Sequence, residues 1–305
     1  MDFEVIVNCT LLEIDSESAL ESAGNKHVLS LLNDYEDGQW RYKKFQDFIW
    51  NNIADTALSQ RERESLQEKP SSILSSAAQN LRLTDAENDI SKGSELAEIV
   101  LYGIMKNQYK AIPIVPKIFY KQNTQDNAKG ADSVHIVIEE DDDFSLWFGE
   151  AKFYNSIENA RLNEIVTSVK NSLSTDKLKK ENAIILNVKD IDDIDISDDS
   201  KEKIKEALAN KNSIDPLKPK INIPILLLHK CPITQKTQQI TDDYYKEIKE
   251  FHKDRATAYF TKQVEKLKDD IFKYSDIKFH LILFPVPEKE PIIEKFVSKV
   301  KFFKS

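Results

Sequence analysis

Gly130-Ala131-Asp132-Ser133-Val134-His135-Ile136-Val137-Ile138, then Glu139-Glu140-Asp141-Asp142-Asp143, then Phe144-Ser145-Leu146-Trp147-Phe148-Gly149-Glu150-Ala151-Lys152-Phe153, sets two apolar flanks around an acidic turn. Both flanks are rich in β-branched and aromatic residues, which together with the polar turn is a hairpin signal. Folding the segment symmetrically about Asp141 pairs Ile138 with Phe144, Ile136 with Leu146, Val134 with Phe148 and Asp132 with Glu150. Side chains alternate faces with period two, so these residues share one face with Lys152. That face is a run of hydrophobes ending in two opposed carboxylates and an ammonium.

Like charges directly across a strand pair are unfavourable, and partial burial raises the cost. A positive group must therefore lie between Asp132 and Glu150. Lys152 supplies one charge, and a divalent cation is the natural source of the rest. An oxygen-only, carboxylate-lined site suits Mg²⁺ (or Mn²⁺), which binds through one or two carboxylates and keeps waters or substrate phosphate as its other ligands. Lys152 beside that ion could stabilise charge on a scissile phosphate or orient the attacking water. Phosphodiester hydrolysis fits this constellation best.

Outward from the hairpin, the chain alternates elements. The spacing predicts a strand over 3–12 and helices over 26–32, 42–57 and 60–66, so residues 1–88 read as a mainly helical N-terminal region suited to docking a partner. The polar stretch Asp85 to Lys92 marks the boundary to a second region, 89–305. There a helix from Glu95 to about Asn107, capped by Ser94, precedes strands over 112–120, 132–139 and 145–154. A helix over 157–173 follows, then a strand-length apolar run at 183–188 and a helical stretch at 201–209. Another apolar run spans 221–229, where Pro224 argues for an edge or irregular position. A long charged helix (241–274), a strand (278–285) and a helix (292–303) finish the chain. Helix, three-strand meander, helix and strand make a mixed αβ sheet covered by helices.

Glu95 and Glu98 lie on the helix that feeds the meander. A glutamate at the edge of its apolar stripe of Leu96, Ile99, Val100 and Ile104 could add a third carboxylate to the cation from beneath the sheet, and Glu98 is the favoured one. The plainer reading makes both of them exposed acids near a helix N-terminus, where the dipole favours them.

Composition bounds the function. The 305 residues are 40 % hydrophobic and 31 % charged, ordinary for a soluble globular protein with a sizeable core. Two cysteines, Cys9 and Cys231, form no disulfide framework, and a reducing cytoplasm is the simplest setting. No apolar run reaches the roughly 20 residues that span a membrane. The net charge of −9 opposes self-sufficient nucleic-acid binding, which draws on a basic surplus. A DNA substrate would have to be gripped through local clusters (Arg41, Lys43 and Lys44 among aromatics, or Lys177, Lys179 and Lys180), through metal, or by a partner. The histidines show no zinc spacing, and there is no Walker-type phosphate loop. Trp147 and Tyr154 could stack on a base, although packing against a helix explains them as well. A second Glu-x-Lys, Glu247-Ile248-Lys249, lies in a charged helix and shows how little that motif means outside its strand context.

With Asp132, Glu150-Ala151-Lys152 and the preceding acidic helix in hand, the chain resembles the PD-(D/E)XK nuclease superfamily. That resemblance implies a restriction-endonuclease-like αβββαβ core in which an Asp and a Glu-x-Lys hold Mg²⁺ and the water. The superfamily's Pro-Asp appears here as Ala131-Asp132. The leader of about ninety residues, the segment Gly93-Ser94-Glu95-Leu96-Ala97-Glu98-Ile99-Val100-Leu101-Tyr102 and the strand Phe148-Gly149-Glu150-Ala151-Lys152-Phe153-Tyr154 are similar to the HamA family, the nuclease subunits of Hachiman anti-phage defence. Membership would imply a complex with a HamB-like helicase that restrains the nuclease and releases it onto DNA. It would assign Asp132, Glu150 and Glu98 to the metal and Lys152 to the water. The alternative is a nuclease-like scaffold without activity that binds or regulates a helicase.

Overall fold

In the computed structural model, which describes residues 3–14, 20, 23–83, 93–120, 130–187, 190–209 and 211–305, the hairpin belongs to a seven-stranded mixed sheet. Its strands are β1 (Glu4–Thr10), β2 (Lys26–Leu32), β5 (Ile112–Val115), β6 (Ser133–Ile138), β7 (Phe144–Tyr154), β8 (Ile221–Lys230) and β9 (Lys278–Val286), in the order β1-β2-β9-β8-β7-β6-β5. The four strands β2, β9, β8 and β7 run parallel, while β1 and the β7-β6-β5 meander are antiparallel to their neighbours. Two short strands, β3 (Tyr35–Glu36) and β4 (Gln39–Trp40), form a separate ribbon.

Helices cover both faces. In chain order they are α1 (Leu11–Ile14), α2 (Tyr42–Ala57), α3 (Gln60–Ser65), α4 (Pro70–Gln79), α5 (Ser94–Tyr109), α6 (Lys117–Tyr120), α7 (Asn159–Ser172), α8 (Thr175–Asn187), α9 (Asp190–Asp193), α10 (Asp198–Leu208), α11 (Pro232–Lys236), α12 (Asp242–Leu267) and α13 (Glu290–Lys304). Because strand side chains alternate, the sheet sorts its apolar residues into two cores. Val134, Ile136, Leu146, Phe148, Ile225 and Leu227 meet α7, α8, α10 and α12 on one face. Trp147, Ala151, Phe153, Leu226 and Leu228 meet α2, α4, α5 and α13 on the other. On α7 the buried set Leu162, Ile165, Val166 and Val169 follows the i, i+3, i+4, i+7 rule. On α12 the buried residues Tyr244, Ile248, His252 and Ala256 recur every fourth position, which is how a heavily charged helix still presents one packed stripe.

The expected mixed αβ sheet flanked by helices is present, and the order α5-β5-α6-β6-β7-α7 holds the start of the expected core with α6 interposed. Four local expectations are corrected. Lys26–Leu32 is strand β2 and not a helix: both its faces are covered, so six of its seven residues are buried and the period-two pattern disappears. It pairs in parallel with β9, so β1 and β2 bring the N-terminal region into the same sheet, alongside the helices α2, α3 and α4. The strand expected over 112–120 ends at Val115, and after Pro116 the chain turns into α6. The run at 183–188 belongs to α8 as far as Asn187, whose buried Leu178, Glu181, Asn182 and Ile185 have helical spacing; a short apolar run cannot be told from a helix by periodicity alone. The strand that completes the core is therefore β8. Pro224 sits in that central strand and not at an edge. Pairing with β7 lapses between Trp147↔Asn222 and Glu150↔Ile225, which is where a residue without an N–H fits a parallel ladder. The expected boundary at 85–92 falls outside the described residues.

Candidate metal and phosphodiester site

β6 and β7 pair Val134 with Phe148, Ile136 with Leu146 and Ile138 with Phe144. Asp132 extends this ladder, its N–H donating to the Gly149 carbonyl at 2.8 Å, which sets it opposite Glu150. The Asp132 carboxylate is tied across the ribbon, accepting the Ala151 N–H on Oδ2 at 3.1 Å. Gly149 is required at this crossing, since a Cβ there would lie 2.1 Å from Ser133 Oγ and 2.7 Å from Leu101 Cδ2.

Lys152 Nζ stands between the acids, 2.5 Å from Glu150 Oε1 and 3.5 Å from Asp132 Oδ2. The Glu150 side chain is 8 % exposed and that of Lys152 31 %, so the site opens to solvent on the lysine side. Burial, and then the neighbouring Asp132 charge, push the Glu150 carboxyl above its ordinary range, against the pull of Lys152 and Ser168. Burial alone would lower Lys152, but Asp132 and Glu150 outweigh it and hold the amine firmly as ammonium. Ser168 of α7 donates to Glu150 Oε1 at 2.6 Å. This residue escaped sequence reading, and its only signal was a small polar side chain one position before Val169 in the apolar stripe of α7.

Glu98 is buried on α5, the helix that packs on the opposite face of the sheet from Glu150 and Lys152. Its charge raises the neighbouring Tyr102 phenol, after burial itself. Among the described residues, no group of three or more His, Cys, Asp or Glu side chains is placed to hold one ion; Asp132 and Glu150 form the pair at the end of the ribbon. Glu95 has a structural partner: its carboxylate accepts the N–H groups of Arg82 and Leu83 at 2.9 and 3.2 Å.

The remaining candidates divide. Trp147 is buried against Tyr109 and His280 and donates its indole N–H to Ser145 Oγ at 2.9 Å, a packing role. Tyr154 is half-buried beneath the Arg161 guanidinium, 5.6 Å from the ring centroid. The cluster of Arg41, Lys43 and Lys44 is neutralised locally by Asp34, Glu36 and Asp47. Lys177 and Lys179 stand exposed on α8. His135 is buried against Tyr102, which pushes its imidazole down to about 3. His229 and His252, far apart in sequence, meet Nε2 to Nε2 at 3.2 Å in the core. Glu247 and Lys249 are both exposed on α12.

Two carboxylates already gathered around a cationic nitrogen fit a hard divalent ion, which needs only one or two protein carboxylates beside water and phosphate oxygens. The donor set is all oxygen, and the Lys152 ammonium stands where positive charge is wanted. Among the described residues, no helix is long and apolar enough to cross a membrane. Comparison with curated proteins finds no match. The model of one protein family, HamA, matches residues 6–300, nearly the whole chain, and the protein therefore belongs to the HamA family.

Proposed function

We propose that this chain is the metal-dependent DNA nuclease of a Hachiman anti-phage defence complex, held in check and released by a partner helicase. Membership of the HamA family carries the defence role. The observation that carries the chemistry is the contact of Lys152 Nζ with both Asp132 and Glu150 at one end of the ribbon, open to solvent on the lysine side.

In this reading Asp132 and Glu150 hold Mg²⁺ or Mn²⁺, which when bound supplies Lewis acidity and a site for the attacking water. Ser168 fixes the Glu150 carboxylate by donating to Oε1, and the Ala151 N–H fixes Asp132. Without the metal, Asp132 and Glu150 hold Lys152 as an ammonium. Its part is to hold the water by hydrogen bonding and to stabilise the negative charge that grows on the phosphate oxygens. Lys177 on α8, exposed and lining the pocket beside Gly130 and Ala131, is a cation for the DNA backbone near the site. With a net charge of −9, the chain needs its partner to grip the polymer.

Glu150→Ala and Lys152→Ala, purified and assayed with Mg²⁺ on linear and nicked DNA, are expected to retain the parent's circular dichroism and to lose at least about a hundredfold in cleavage rate. Glu98→Gln should cost less than either, since the helix α5 that carries it packs on the other face of the sheet. Undiminished cleavage by both site variants would falsify the assignment.

A further inference from the structure

The residue before Asp132 is held by a buried ion pair that no part of the chemistry above uses. Glu181 of α8 is 3 % exposed and Lys117 of α6 is fully buried. Glu181 Oε2 accepts from Lys117 Nζ at 2.6 Å, and Oε1 accepts from the Ala131 N–H at 2.8 Å. Lys117 is itself placed by Tyr102, whose hydroxyl accepts the Lys117 N–H at 3.2 Å and donates to the Val115 carbonyl at 2.5 Å. Gly130 completes the arrangement, because a Cβ there would lie 1.6 Å from Glu181 Oε1. The glycine leaves the space that the carboxylate fills.

We infer that Glu181, backed by Lys117 and admitted by Gly130, is a positioning residue for the site: it clamps the 130–132 turn so that the Asp132 carboxylate faces Glu150 and Lys152. A buried charge pair is weak as a source of stability and demands full hydrogen bonding. Its distinctive product is geometry, and the geometry is delivered to a backbone N–H one residue from the acid. From Glu181 the path runs through Ala131 to Asp132, and from Asp132 Oδ2 to the Ala151 N–H on β7. A carboxylate is needed because two donors must be met by two oxygens. A glutamine offers one acceptor, which the lysine charge would claim, leaving the Ala131 N–H without it.

The inference rests on the metal-site reading for its functional meaning, and two readouts on the full-length chain separate the two. Amide hydrogen exchange by NMR tests the clamp alone. Glu181→Gln and Gly130→Ala are each expected to speed exchange at Ala131 and at Ala151 about tenfold or more, with Phe153 unchanged. Parent-like exchange at Ala151 in the folded variants overturns the clamp, as does uniform acceleration along β7, which would mark a merely structural role. Should a single variant fail to fold, Glu181→Leu combined with Lys117→Met removes both charges without stranding either one. The same acceleration at Ala151 supports the clamp there, and its absence overturns it. Titration with Mn²⁺ followed by thermal melting tests the site: the parent should gain stability and Asp132→Ala should not. Where the parent responds, Glu181→Gln should shift the Mn²⁺ midpoint upward about 10- to 100-fold, the range for residues that orient metal ligands. A parent-like midpoint counts against the clamp. A parent indifferent to Mn²⁺ sinks the metal site, while the exchange result still decides the clamp.

Discussion

At Glu150 the site works against the stability of the fold. Its ionised form is disfavoured by burial and by Asp132 more than Lys152 and Ser168 favour it. An acid whose native pKa stands above its unfolded value binds the proton more tightly when folded. Stability therefore falls as pH rises from the ordinary glutamate value of 4.5 through the native one. Glu150→Gln, which mimics the protonated acid, is expected to raise the melting temperature of the metal-free protein at pH 7. The gain should shrink as pH falls through the native value toward 4.5 and be gone below it, where the parent is protonated in both states. Calorimetry across pH 4 to 8 at constant ionic strength measures it, and a variant less stable than the parent at pH 7 would contradict the sign. Gaining stability by removing one acid is the mark of a residue kept for what it does and not for what it holds together.

Among the elements, β7 positions the site through its neighbours on both sides. β6 brings Asp132 opposite Glu150, and Gly149 lies where β7–β8 pairing lapses beside Pro224 and where Leu101 of α5 approaches. Gly149→Ala forces a Cβ against Ser133 Oγ and Leu101. It should cost about 1–3 kcal/mol by overpacking, read from the midpoint of urea unfolding at unchanged slope. Adding Ser133→Ala should recover part of the loss. A Gly149→Ala chain as stable as the parent would show that the ribbon and α5 do not meet as tightly as the distances state. The helix α7 acts from the other face: its apolar stripe buries Leu162, Ile165, Val166 and Val169, and that packing brings Ser168 down onto Glu150.

Across the whole molecule, the acidic surplus and the placement of the basic residues point to shared labour. With a net charge of −9, and with Arg41, Lys43 and Lys44 neutralised by acids of their own neighbourhood, the isolated chain has little to offer a phosphate backbone. Fluorescence anisotropy at 150 mM salt is expected to show binding to duplex DNA at the weak end of the non-specific range, about 10⁻⁴ M or weaker. Purification from the native operon should bring a helicase subunit with it. Tight, salt-resistant binding by the chain alone would remove the need for a partner.

The hairpin, its register about Asp141 and the gathering of Asp132, Glu150 and Lys152 on one face were legible in the residues, because period-two alternation and an acidic turn leave one way to fold that segment. Helices α2, α7 and α13 were legible for the same kind of reason, from apolar stripes bounded by polar ends, whereas α12, read as a charged helix, ends at Leu267 and not at 274. The chain alone did not reveal β2 or α8, whose burial erases the pattern that tells strand from helix, nor the central place of Pro224, which depends on a gap in a neighbour's ladder. Ser168, Lys117 and Glu181 were invisible for a deeper reason. Each is an ordinary polar residue on a different element from the acids, and only the packing of α6, α7 and α8 against the sheet turns its donors and acceptors toward them. Local alternation is written in adjacent residues, whereas a hydrogen bond across fifty positions exists only once the core has closed.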